Sequence, residues 1–537
     1  MKRLVLIIAV VIIAGMAVAQ VPVGRTVVML GSQAVKGVRN YNKSLQEIQA
    51  QQEATLPRVP LMPQTTPMSL PNPKKNVSYL PPKRVDPTLT LYRTSVLNLP
   101  KSLMGQQNQA RSLGSHSLNK DTQQMLDRFL SYVRIESQSV EVPELDSFPM
   151  TEGQIQIAKF IYNEIKSFGG EVEISLSPDY YVYAKITSNI KKKVPSIMFM
   201  AHMDVTPEAN GKGINPQVHP NYDGKDIALG NGLILSPNEP NGRHLKDLVG
   251  KTIITSDGNT LLGADCKTGC AILVTLIEQM VNDKNFKHGD VYFCFGQNED
   301  VGKVQDRMDA DILSNVDMLI DVDGNDYGKY SIANFTAVNR SYYFSGNQAH
   351  SSHGKELGYA DARTAMAYFI GQLPPEIHPS NSEGRQGYVH CYGMEQTNNG
   401  ADERVLFRIR YFEESDFQYY DKCLAEAMKK TQEAYPLVDI TLENDFTQYE
   451  NVAYDMHPKT IEVIQNAVAK SNVKMEPFEL RAGTTCALMV AKGLPGGPCL
   501  YSGQQAVHSV YEWCCIEEMI ELVELTKNIV AEAREIK

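Results

Sequence analysis

Five short stretches carry the residue types from which a metal-dependent hydrolase is built: histidines, carboxylates and flanking glycines. The first, Ile197-Met198-Phe199-Met200-Ala201-His202-Met203-Asp204, is an apolar run ending in His-x-Asp. In an extended chain residues two apart share a face, so Asp204 can orient the His202 ring. The second, Leu261-Leu262-Gly263-Ala264-Asp265-Cys266-Lys267-Thr268-Gly269, follows an Asp257-Gly258 turn and leads into an apolar helix predicted over 270–281. Glycines on both sides of Asp265 let the backbone approach a cation closely, and a carboxylate there could bridge two. The third, Cys294-Phe295-Gly296-Gln297-Asn298-Glu299-Asp300-Val301-Gly302, follows a strand with paired carboxylates, one to bind metal while its neighbour acts as general base.

In the fourth stretch, Leu319-Ile320-Asp321-Val322-Asp323-Gly324, Asp323 ends an apolar strand. The fifth, Tyr501-Ser502-Gly503-Gln504-Gln505-Ala506-Val507-His508-Ser509, sets His508 after a buried strand and a glycine turn. Two histidines, three carboxylates and a spare glutamate suffice for two four- or five-coordinate cations with water at the open position. Singly each motif is common without metal, because a histidine after a strand is more often a hydrogen-bonded structural residue. Their number and order carry the argument.

The elements that must position these residues are short apolar runs alternating with helical patterns, the signature of an α/β sheet. Strands are predicted at 197–200, 291–295, 318–322 and 499–501, and open α/β sheets place ligands where such strands end. Order is expected to begin near Asp121, where Leu126, Phe129, Leu130 and Val133 repeat at helical spacing. A second helical pattern opens at Thr151-Glu152-Gly153, and others cover 460–469 and 516–533. Between about 337 and 443 the texture changes to alternating strands such as 405–412 and helices such as 360–373, which reads as an inserted α+β domain. The chain then divides into a catalytic domain over 118–336 and 444–537 and an insert over 337–443.

Composition bounds the rest. The 537 residues are too many for one ordinary domain, and 42% hydrophobic with 21% charged residues fits a soluble globular protein. A formal charge of -10 argues against non-specific nucleic-acid binding. Residues 1–19 read as a secretory signal, with Lys2 and Arg3, an apolar run, and Ala17-Val18-Ala19 before the expected new terminus Gln20. Cleavage would leave no stable membrane span. Residues 20–117 hold 11 of the 28 prolines and 12 Lys or Arg against 3 acidic residues, the composition of a basic, mostly disordered arm. The nine cysteines, none before Cys266, suggest buried free thiols rather than a disulfide framework.

The order His-x-Asp, Gly-Ala-Asp-x-Lys-x-Gly, Glu-acid pair, Val-Asp-Gly and late His resembles the cocatalytic zinc exopeptidases related to carboxypeptidase G and aminoacylase. Three further stretches resemble the peptidase T branch in particular: Gly211-Lys212-Gly213-Ile214-Asn215-Pro216-Gln217, Asn221-Tyr222-Asp223-Gly224-Lys225-Asp226-Ile227-Ala228-Leu229-Gly230 and Thr252-Ile253-Ile254-Thr255-Ser256-Asp257-Gly258. The resemblance covers about 118–537. It implies an α/β catalytic domain, with a mixed central sheet flanked by helices, and an inserted lid. It also implies two divalent cations, zinc first among them, with His202, Asp265 and Asp323 holding one, Asp265, Asp300 and His508 the other, and Asp265 as bridge. Glu299 would be the general base, Asp204 would steady His202, His350 would polarise the scissile carbonyl, and Arg410 and Arg481 would meet the substrate carboxylate. Three positions depart from the family pattern: Asp300 stands where Glu is common, Thr485 where Asp is, and Tyr511 where His is. The shorter Asp300 would require the metal to shift or the loop to move inward.

The activity so implied is removal of the N-terminal residue from short peptides, tripeptides foremost. The metal core alone does not separate this from a dipeptidase, a carboxypeptidase or an N-acyl-amino-acid hydrolase, and the three departures raise a silent peptide-binding protein as a further alternative. A homodimer is left open.

Overall fold

In the computed structural model, which describes residues 118–140 and 151–536, the apolar runs that close the motifs are neighbouring strands of one sheet. The expected signal at 1–19 and basic arm at 20–117 lie outside the described residues. The sheet has eight strands, in the order Val172–Leu176, Val182–Ile186, Val291–Gly296, Ile197–His202, Met318–Gly324, Cys499–Tyr501, Lys329–Asn334 and Glu476–Leu480. The four middle members run parallel, while the second strand and the Lys329–Asn334 strand pair antiparallel to this block. Register sets His202 opposite Gly296 and Met200 opposite Asp321, so the carboxyl ends of the parallel strands finish side by side.

All six residues of Ile197–His202 are buried, because both faces of the sheet are covered. Ile197, Phe199 and Ala201 join the large apolar cluster built with the helices Lys120–Val133, Glu152–Ser167, Ala264–Asn282 and Ile516–Ala533. Met198 and Met200 point the other way, into a cluster with Cys486, Ala487 and Met489. Local signals start the helices where they begin: the Asn119 side chain caps the first through Thr122 N, and Gln154 Oε1 accepts from Thr151 N at 2.9 Å at the second. The helix predicted at 270–281 in fact begins at Ala264, with Asp265 and Cys266 non-helical inside its first turn. The glycines there broke the apolar periodicity that marks the remainder.

A second, four-stranded antiparallel sheet is formed by Tyr388–Thr397, Asp402–Tyr411, Thr336–Ser345 and Asp439–Tyr449, in that order. The helices Ala362–Gly371 and Glu414–Ala434 complete its apolar cluster. Its last strand runs on to Tyr449, past the expected boundary at 443, and is mostly exposed, so it lacks the alternation that marks a strand in sequence. The family-like stretches around 217 and 253 build a third, small sheet with Gln504–Gln505 and Trp513–Cys515. All nine cysteines are free thiols, and among the described residues no helix is long and apolar enough to cross a membrane.

One buried cation ties the helical layer together. Arg128 lies 2.7 Å from Glu164 and 2.6 Å from Glu278, one on each neighbouring helix, and donates to Thr275 as well. Removing it strands two partly buried carboxylates. Arg128→Ala is therefore expected to lose about 3 kcal/mol in urea unfolding. A loss below about 1 kcal/mol would show that solvent already screens both carboxylates.

Candidate metal centre and active site

The carboxyl ends of the parallel strands bring His202, Asp300, Asp323 and His508 together, and the first turn of the helix Ala264–Asn282 adds Asp265. His202 is 3% exposed; its Nε2 lies 2.9 Å from Asp265 Oδ1 and 3.4 Å from Asp323 Oδ1. The other oxygen of Asp265 lies 3.4 Å from His508 Nε2, and that nitrogen is 2.9 Å from Asp300 Oδ1. Asp265 thus faces both histidines, one with each oxygen. Glu299 sits beside this group, with Oε2 at 3.9 Å from His202 Nε2. The shorter Asp300 still meets His508.

Asp204 does two jobs. Its carbonyl oxygen and its Oδ1 lie 3.2 and 3.4 Å from His202 Nδ1, which orients the ring, and its two carboxylate oxygens accept from the backbone N–H groups of Glu299 at 3.1 Å and Asp300 at 3.3 Å. Sequence reasoning found only the first job. It also missed three residues that hold the ligands. Glu512 accepts from Leu262 N and Gly263 N at 2.6 Å each and from Asp265 N at 3.0 Å, fixing the loop of the shared carboxylate. Gln504 donates to Asp323 Oδ1 at 3.2 Å and to its carbonyl at 2.8 Å, and Glu208 lies 3.2 Å from His508 Nδ1. The available signal was Glu512 itself, a charge set directly before the apolar run Trp513-Cys514-Cys515-Ile516. His508 has φ 59°, left-handed for a residue with a Cβ, which is strain retained where surroundings fix the backbone.

The electrostatics are those of excess buried negative charge. Burial pushes Glu299 up to about 7, with Asp323 adding to the rise against the pull of His202. Burial also pushes Glu512 up to about 7, against its backbone donors, and holds Asp300 and Asp323 above the usual carboxylate range. Asp265 goes the other way: burial would raise it, but hydrogen bonds with His202 and His508 hold it below that range. His508 is pushed up to about 11 by its hydrogen bonds to Asp265 and Asp300.

This donor set fits divalent cations. Asp300 Oδ2 is buried without a hydrogen-bond partner, and five carboxylates face two imidazoles. Buried charge in such excess is costly unless positive charge joins it. One ligand atom each from Asp265, Asp300 and His508 lie within 4.8 Å of one another, as do atoms of His202, Cys266 and Asp323. Imidazole with carboxylate suits zinc and its first-row neighbours. Cys266 is the poorer donor of its group, since its thiol donates to the Val322 carbonyl at 3.0 Å and burial holds it protonated.

A cleft of about 440 Å³ opens onto Asp265, Glu299, Asp323 and His508, with Thr484 and Phe478 on its walls. The three residues assigned to substrate do not line it. His350 is exposed and lies 2.7 Å from Ser352 Oγ. Arg410 is buried over the Tyr449 ring and donates to Gln448, while Arg481 donates to the carbonyls of Gly384 and Gln386.

No protein-family model matches the chain. Among solved structures, the fold is shared with an aminopeptidase PepT from Bacillus cereus at TM-score 0.60 and 19% identity, over 77% of this chain and 99% of that one. A tripeptidase from Staphylococcus aureus follows at TM-score 0.56 and 18% identity, over 77% and 99%. A dinuclear metal-binding M20-family peptidase from Bacillus subtilis has TM-score 0.54 and 13% identity, over 78% and 100%. The fold is that of the M20 peptidases. Sequence narrows it: peptidase T of Clostridium perfringens is 33% identical over 412 residues, 75% of this chain and 97% of that protein. Peptidase T of Listeria monocytogenes is 31% identical over 410 residues, again 75% and 97%. The chain belongs to the peptidase T family and is a metallopeptidase.

Two outcomes follow from the buried carboxylates. Glu299 and Glu512 hold protons to about 7 when folded but only to about 4.3 when unfolded. The folded chain binds more protons across that window, so this contribution to stability is lost as pH rises through it. The thermal midpoint of chelator-treated protein is expected to fall between about pH 5 and pH 8, while the gain on adding zinc grows. A gain independent of pH would contradict this. Glu512→Gln sets an amide N–H₂ against backbone donors and is expected to weaken cation binding about 10- to 100-fold by calorimetry; unchanged affinity would remove Glu512 from this role.

Proposed function

We propose that this chain releases the N-terminal residue from short peptides, tripeptides foremost, with two divalent cations, zinc before others, held by His202, Asp265 and Asp323 and by Asp265, Asp300 and His508. The observation that carries the reading is Asp265, which meets His202 with one oxygen and His508 with the other. The relatives are named peptidase T, and two similar structures are described as an aminopeptidase and a tripeptidase, which supports the substrate class. When bound, the cations would polarise the scissile carbonyl and lower the pKa of the attacking water.

Glu299 is the base in this reading. Its carboxylate faces the cleft and, although it could share a cation with His202 and Asp300, it stands outside the two ligand sets named above, free to take a proton from water and pass it to the leaving amine. Asp204 orients His202 and fixes the turn that carries Glu299. The silent-binder alternative is disfavoured because Asp300 keeps its approach to His508.

Glu299→Gln is expected to lower kcat about 10²- to 10⁴-fold with about two cations per chain retained. Turnover at the parent rate would remove Glu299 as base. Free tripeptides are expected to be cleaved and N-acetylated ones refused; equal cleavage would favour an acyl-amino-acid hydrolase.

The proposal extends to the compartment. Residues 1–19 have the composition of a signal, so sequencing the exported protein is expected to begin at Gln20. Recovery of the chain from the cytoplasm with Met1 intact would overturn export.

A further inference from the structure

Thr485, one of the three departures from the family pattern, is 2% exposed, and its Oγ1 donates to Glu299 Oε1 at 2.7 Å. That bond leaves the other oxygen, Oε2, as the one turned toward His202. We infer that Thr485 is a positioning residue that sets the Glu299 carboxylate for proton transfer, an inference that rests on the peptidase reading above.

The hydroxyl is well placed for this because its own backbone is fixed. Thr485 opens the helix Thr485–Val490, whose preceding residue, Thr484, caps it by accepting from Ala487 N at 3.2 Å. Cys486, Ala487 and Met489 pack into the apolar cluster under the central sheet with Met198, Met200, Cys294 and Leu319. On its other side the helix is held by the chain returning from the second sheet, where Glu450 N donates to the Ala487 carbonyl at 3.1 Å. A β-branched side chain is also stiff at χ1, so a fixed backbone fixes the hydroxyl direction. Glu299, by contrast, has a long side chain on a turn, held through its backbone by Asp204. The helix therefore supplies what the turn lacks, a rigid donor aimed at one carboxylate oxygen.

The test uses the full chain loaded with zinc and an unmodified tripeptide. Thr485→Val keeps the shape and removes the donor. It is expected to lower kcat about tenfold to a hundredfold, the size of a hydrogen bond to a charged group. KM, zinc stoichiometry and zinc affinity by calorimetry are expected to stay at parental values. Thr485→Ser, which keeps the hydroxyl, is expected to remain within about threefold of the parent in kcat. Should the Val variant melt without cooperativity, Thr485→Ala reads the same loss. Parental kcat in the Val variant, equal losses in Val and Ser, or a loss of zinc affinity that accounts for the lost rate would each overturn this inference while leaving the peptidase reading intact. A parent chain that binds zinc and cleaves no peptide would overturn both.

Discussion

Five carboxylates and two imidazoles are packed at the rim of a sheet whose faces are sealed by apolar helices, where keeping the carboxylates ionised without added positive charge is costly. Asp300 keeps an oxygen without any protein partner, and burial lifts Asp300, Asp323 and Glu299 above their ordinary range. A fold does not keep such an arrangement for its own stability, because unpaired buried charge costs several kcal/mol per ion even after relaxation. Positive charge from outside the chain resolves it. Every other feature of the site can be understood as holding these groups close enough to share that charge.

The holding is done by backbone as much as by side chains. Parallel strands bring His202, Glu299, Asp323 and His508 to one edge, but an edge alone does not set distances to tenths of an ångström. Asp204 binds the turn that carries Glu299 and Asp300, and Glu512 binds the loop that carries Asp265, so two buried carboxylates fix the backbone of three others in the cluster. Such outer partners set ring and carboxylate orientation and hence the strength of the centre. The left-handed backbone at His508 belongs to the same economy of position over comfort.

What the sequence made legible follows from periodicity and proximity. The strands 197–200 and 318–322 were visible because both their faces are covered, which makes them continuous apolar runs, and the His-x-Asp geometry was visible because it spans only two residues. The start of the helix at Ala264 was hidden by glycines, and the strand ending at Tyr449 by its exposure. Glu512 was hidden because the backbone it binds lies some 250 residues earlier. His350, Arg410 and Arg481 came from family likeness alone, and no spacing rule says how an inserted sheet meets the cleft. None of these three lines the cleft.

The central claim is that Asp265 stands between two cations. Anomalous scattering from crystals of the full chain grown with zinc tests it most directly. The expected map has two peaks flanking Asp265, one against His202 and Asp323 and the other against Asp300 and His508. A single peak, or peaks that leave Asp265 outside both coordination spheres, would contradict the account.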